Sequence, residues 1–191
     1  MGGFTLALGL FAGFHLVLAD GHNQLQGQSK HVANAVVEIF GEMGIDVTWS
    51  SDPSVPTSSA RPTVIVALLP HSSREWRLRD GAMATVAREG SDSPGSVFLF
   101  YPDVARAMAF RPARSSSIRD GRPSGVSWHV GVARVVTHEI LHYFLPGRPH
   151  DSAGIFMEHQ RGDSLLSPKL EVTHDTPEAL LAKLEGLRVD P

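Results

Sequence analysis

The spacing of apolar positions changes several times along the chain, and each change marks an element. Over residues 24–43, Val32, Val36, Ile39, Phe40 and Met43 recur at three- and four-residue intervals before Gly41 and Gly44 close the pattern, which predicts a helix. Residues 45–49 (IDVTW) alternate with period two and predict a strand. Residues 63–69 (TVIVALL) form a continuous β-branched run stopped by Pro70, the pattern of a buried strand. Residues 97–101 (VFLFY) predict another strand, with a helical turn after it over 103–110. This strand is the candidate edge of the sheet, open to an added strand. Residues 72–95 fit no single period; a short helix over 83–88 is the best match. Residues 128–144 carry Val132, Val135, Val136, Ile140, Tyr143 and Phe144 at helical spacing. A last helix is expected over 177–187, with Thr176 as N-cap and Pro177 in its first turn. The intervening stretches 50–61 and 111–127 are polar and read as surface loops, the second with four arginines. This order predicts an α/β (α+β) domain in which a small mixed sheet packs on an N-terminal helix and on the 128–144 helix.

Residues 4–18 are almost wholly apolar, too short for a membrane span of ~20 residues. Val17-Leu18-Ala19 before Asp20 fits a cleavage site, so residues 1–19 are expected to be a signal peptide and the product secreted or periplasmic. The start Met1-Gly2-Gly3 has no Lys or Arg, and His15 interrupts the run. The alternative is a buried N-terminal strand or helix. On the first reading residues 20–191 form a single domain, with no stable membrane association after cleavage.

Composition narrows the chemistry. With 191 residues, 42% hydrophobic and 19% charged, the chain is globular rather than disordered. Its 17 Lys+Arg against 20 Asp+Glu give a net charge of -3, so nothing supports nucleic-acid binding. There is no cysteine, which excludes thiolate nucleophiles, iron–sulfur clusters and cysteine-ligated zinc. A metal would have to be held by His, Asp or Glu, and ten histidines are available.

Three of them fall together. His138-Glu139-Ile140-Leu141-His142 is an H-E-x-x-H sequence inside the expected helix. Histidines four apart on a helix share one face, with Cβ atoms ~6 Å apart, so both imidazoles can reach one zinc at ~2.0–2.1 Å. Glu139, beside the first ligand, can act as general base on a water at the metal without being a ligand itself. Pro146-Gly147 stops the helix, and a positive φ at Gly147 would turn the chain back and bring His150 to the same metal. Three histidines and one open position make a catalytic rather than a structural site. His22, His31, His71, His129 and His174 show no ligand spacing.

This segment resembles the metzincin clan of zinc metallopeptidases, whose pattern is H-E-x-x-H-x-x-G-x-x-H followed by a Met-bearing turn beneath the zinc. His138, Glu139 and His142 match, as does Gly147-Arg148-Pro149-His150, and Ser152-Ala153-Gly154-Ile155-Phe156-Met157 is similar to the Met-turn. The segment is also similar to small exported bacterial zincin-like proteins. Leu145-Pro146 is inserted relative to the clan, and Glu158-His159 follows the Met where the clan has Pro. The resemblance implies a zincin fold and a zinc-dependent endopeptidase acting on peptides or proteins. It implies Zn2+ on His138, His142 and His150, Glu139 as catalytic base, Met157 as a soft floor, and His159 as a candidate oxyanion stabiliser. Asp151 is the alternative third ligand, and Glu158 or Glu171 would serve in a zincin of another type. The competing functional reading is a zinc-binding or interaction module of the same fold without peptidase activity.

Overall fold

The structure is a computed structural model, and it describes residues 12–52, 61–79, 82–87, 95–109, 128–158, 160, 162–167, 169–173 and 175–187. Ten elements follow one another: β1 (Gly13–Ala19), α1 (Ser29–Glu42), β2 (Asp46–Ser50), β3 (Thr63–Leu69), β4 (Ala84–Ala87), β5 (Ser96–Phe100), α2 (Tyr101–Ala109), α3 (Trp128–Phe144), α4 (Gly162–Leu165) and α5 (Asp175–Gly186). The strands form one sheet in the order β2-β1-β3-β5-β4. All pairings are parallel except β4 with β5, so the sheet is mixed and the fold is α/β in the α+β sense.

Burial along the strands shows how the layers are arranged. On β3, Val64, Val66 and Leu68 are buried while Thr63, Ile65, Ala67 and Leu69 are only half-buried. The apolar run of β3 thus serves two faces of unequal depth, one of them in the core shared with the helices. Phe14 of β1 stands between two helices on that deep face: its ring lies 5.0 Å from Phe40 of α1 and 5.2 Å from Phe144 of α3. Helix α3 is buried over most of its length, including Val132, Val135, Val136, Ile140, Leu141 and Phe144, as expected of a helix that is apolar almost all round.

The N-terminal apolar run has a structural role from Gly13 onward. β1 pairs with β2 on one side and β3 on the other, with Leu16 opposite both Trp49 and Val64. Phe14, Leu16 and Leu18 are fully buried. A cut after Ala19 would remove this strand from inside the sheet; residues 1–11 lie outside the described residues. His15, out of place in an apolar leader, is ordinary in this strand. It points to the shallow face, where its Nδ1 lies 2.9 Å from Thr48 Oγ1 and its Nε2 lies 3.1 Å from Ser50 Oγ on β2.

Three expectations need correction. Residues 84–87 are a strand, not part of a helix: the short Ala-Thr-Val-Ala segment gains an antiparallel ladder on β5, a tertiary gain that outweighs its weak local preference. Consequently β5 is not an edge, since β3 and β4 flank it, and the sheet ends at β4 among the described residues. Helix α1 begins at Ser29 rather than near Gln24. Asp20 explains the delay: its carboxylate accepts the backbone N–H groups of Gln24 and Leu25 and holds a turn ahead of the helix. The 111–127 loop lies outside the described residues. No helix among the described residues is long and apolar enough to cross a membrane.

Candidate metal centre

The last two turns of α3 carry His138, Glu139 and His142. The helix then ends as its sequence requires. Leu145 N–H still bonds to Leu141 O, Arg148 N–H closes a turn on Leu145 O, and Gly147 takes φ +75°. This reversal returns the chain to the helix face and presents His150 to the other two imidazoles. His138 Nε2 lies 3.0 Å from His142 Nε2, which lies 2.9 Å from His150 Nε2. Two nitrogens on one tetrahedral zinc, at ~2.0–2.1 Å each, stand ~3.3 Å apart, so the cluster is close to ligand spacing. Among the described residues, His138, His142 and His150 are the group able to hold a metal ion.

Proton bookkeeping supports a cation. His138 Nδ1 lies 2.9 Å from the carbonyl of Ile155, which can only accept, so Nδ1 carries the hydrogen and the Nε2 lone pair faces the cluster. His142 Nε2 faces both neighbours. It cannot donate to His138 and at the same time accept from His150. One cation taking all three lone pairs satisfies every nitrogen. Burial holds the imidazoles of His138 and His142 down at about 4, so both are neutral and able to ligate near neutral pH. Burial also pushes the Glu139 carboxyl up to about 7, its sole cause, and a bound cation would bring it down.

The turn beneath the cluster is held from outside. Asp151 N–H bonds to Phe156 O, and Ile155 N–H bonds to Glu171 O at 2.8 Å. Gly154 has φ +83°, and a Cβ there would sit 2.4 Å from Glu171 O, so this residue must be glycine for the turn to seat. Gly154→Ala is expected to cost at least ~2 kcal/mol and to weaken metal binding with it, because Ile155 O orients His138. Denaturant midpoints and metal titration of the variant check both.

The ring against all three imidazoles is Phe156, fully buried, with centroids 5.5, 4.8 and 5.4 Å from His138, His142 and His150. Met157, expected as the floor, is half-buried and lines a cavity beside the centre. Nothing in the sequence distinguishes Phe156 from its neighbours except its place in the turn. Asp151, the alternative ligand, is engaged elsewhere. Its Oδ2 accepts the hydroxyls of Thr173 and Thr176 at the start of α5, and its Oδ1 lies 3.8 Å from Arg148. Thr176 therefore ties α5 to the turn after α3 instead of capping its own helix, which begins at Asp175. Glu158 and Glu171 are outside the three-nitrogen group, and His159 lies outside the described residues. His150→Ala is expected to lower metal affinity by at least ~10²-fold, more than loss of an orienting partner. Asp151→Asn should leave affinity within about tenfold while costing ~1–3 kcal/mol of stability. Metal titration and chemical denaturation of the two variants separate the roles.

The remaining described histidines stand apart from the centre: His71 pairs with Glu75 at 3.0 Å, and His31 of α1 lies against His129 of α3 at 5.5 Å. No protein-family model matches this chain, and no curated protein is significantly similar to it.

Proposed function

We propose that the chain is a zinc-dependent endopeptidase with a metzincin-like centre. The observation that carries this reading is the convergence of the three Nε2 atoms of His138, His142 and His150, with Glu139 following His138 on the same helix. The donor set is three imidazoles with no thiolate and no carboxylate, the set of an open hydrolytic zinc site. Zinc held there would supply Lewis-acid polarisation of the scissile carbonyl and would make water a nucleophile at neutral pH.

The chain's own residues do the rest. His138 is oriented by Ile155 O, and the ring of Phe156 closes the imidazole cluster on one side. Glu139 takes a proton from the attacking water and returns it to the leaving amine nitrogen, the work of a positioned general base and acid. A purely structural metal site or interaction module has no need of Glu139 next to the first ligand. An exported form of this fold would keep Gly13–Ala19 in the sheet.

Hydrolysis of unfolded casein by the purified full chain tests the reading. Activity that a chelator removes and zinc restores is the expected result. Stoichiometric metal with no cleavage above background would leave a metal-binding module instead.

A further inference from the structure

Behind the metal centre lies a cavity of about 500 Å³ between α3, the 152–157 turn and the chain leading out of α4. Its walls include Arg134, Gly154, Ile155, Met157, Gln160 and Ser167. Arg134 is one helical turn before His138, a rise of ~6 Å along the same face. The cavity and the metal centre thus share a wall, and the shared carbonyl of Ile155 touches both His138 Nδ1 and Gln160 Nε2.

Arg134 is 5% exposed, a rare state for a guanidinium, and the charge of Glu42 at the end of α1 only partly offsets its desolvation. Its Nη1 donates to the carbonyls of Ser164 and Leu165 at 2.9 and 3.0 Å. Its Nε, on the opposite edge, is buried and has no hydrogen-bond partner. No carboxylate among the described side chains pairs with it; on the cavity rim, Glu171 is paired with Lys169 at 3.6 Å. Gln160 Oε1 is a second buried atom in this wall without a partner. A buried guanidinium with an idle Nε donor is costly unless something completes it. The Nε edge of arginine is the one that grips a carboxylate with two parallel hydrogen bonds.

We propose that this cavity seats a carboxylate of the bound peptide on Arg134, either an Asp or Glu side chain close to the scissile bond or the peptide's own C-terminal carboxylate. The proposal rests on the peptidase reading for its substrate and names the class of peptide preferred. Along α3 the backbones of Arg134 and His138 are ~6 Å apart, about two residues of an extended peptide at ~3.3 Å each.

Calorimetric titration of the full-length Glu139→Gln chain, loaded with zinc, tests it without turnover. Three probes are used: N-acetylglutamate α-amide, with a side-chain carboxylate; N-acetylglutamine, with a terminal carboxylate; and N-acetylglutamine amide, with neither. At least one carboxylate probe is expected to bind tenfold or more tightly than the neutral amide, and the tighter of the two identifies the source. Arg134→Lys should lose most of that advantage and Arg134→Met all of it. Because Arg134 also ties α4 to α3, Ser167→Glu serves as a second variant. It places a resident carboxylate in the cavity wall and should abolish probe binding while thermal melting stays cooperative. Equal binding of the neutral amide, or a carboxylate advantage that survives in both Arg134→Met and Ser167→Glu, overturns the proposal. Probe binding as expected in a chain that cleaves no peptide would leave the carboxylate site standing and remove the peptidase reading.

Discussion

Glu139→Gln is expected to bind as much metal as the wild type, one ion per chain on this account, and to hydrolyse peptides at least ~10²–10⁴-fold more slowly, the usual contribution of a positioned general base. The substitution is nearly isosteric and removes only the ability to take a proton. The three imidazoles, their orientation by Ile155 O and the packing of Phe156 are untouched, so metal content and melting temperature should not fall. The uncharged amide leaves no buried charge without a partner at this position. Rates measured on casein or a quenched peptide, alongside metal content, separate the base from the ligands. A variant as fast as the wild type would refute the role of Glu139 and leave the metal site intact.

A chain beginning at Asp20 is expected not to fold. It would lack Phe14, Leu16, Val17 and Leu18, each buried in the structure. Burying each such side chain contributes ~1.5–3 kcal/mol, so the loss is comparable with the whole stability of ~5–15 kcal/mol typical of a domain. The ladders to β2 and β3 go with it, leaving β2 detached from the sheet. The gap left between Phe40 and Phe144 lies against the C-terminal end of α3, the end that carries His138 and His142, so metal binding should fail together with folding. Circular dichroism and a denaturant titration of the truncated and full chains check this. A truncated chain that melts as cooperatively as the full one would show that β1 is dispensable.

How much was legible in the sequence depended on whether local pattern and tertiary context agreed. Helix α3 was readable to the residue because its apolar positions recur at helical spacing and Pro146-Gly147 ends it for reasons internal to the chain. The same agreement made His138, Glu139, His142 and His150 legible together, since a helix face and one turn suffice to bring the three imidazoles together. β3 was readable for a similar reason, although its two faces are buried unequally. β1 was not, because a short apolar run has one composition whether it is a leader or a central strand. Only His15, which meets Thr48 and Ser50 across the sheet, hinted at a strand with a polar-facing side. β4 was illegible because a four-residue segment with two alanines becomes a strand only when β5 offers it a ladder. Phe156 and Arg134 were missed because their roles depend on long-range neighbours: the imidazoles of three separate positions for one, the carbonyls of α4 and an adjoining cavity for the other.

The most direct test of the metal centre is the metal content of the purified full chain by mass spectrometry. One zinc per chain, falling to background in His142→Ala, is the expected result. Less than a tenth of a metal ion per chain, after growth and purification with zinc present and without chelators, would contradict it.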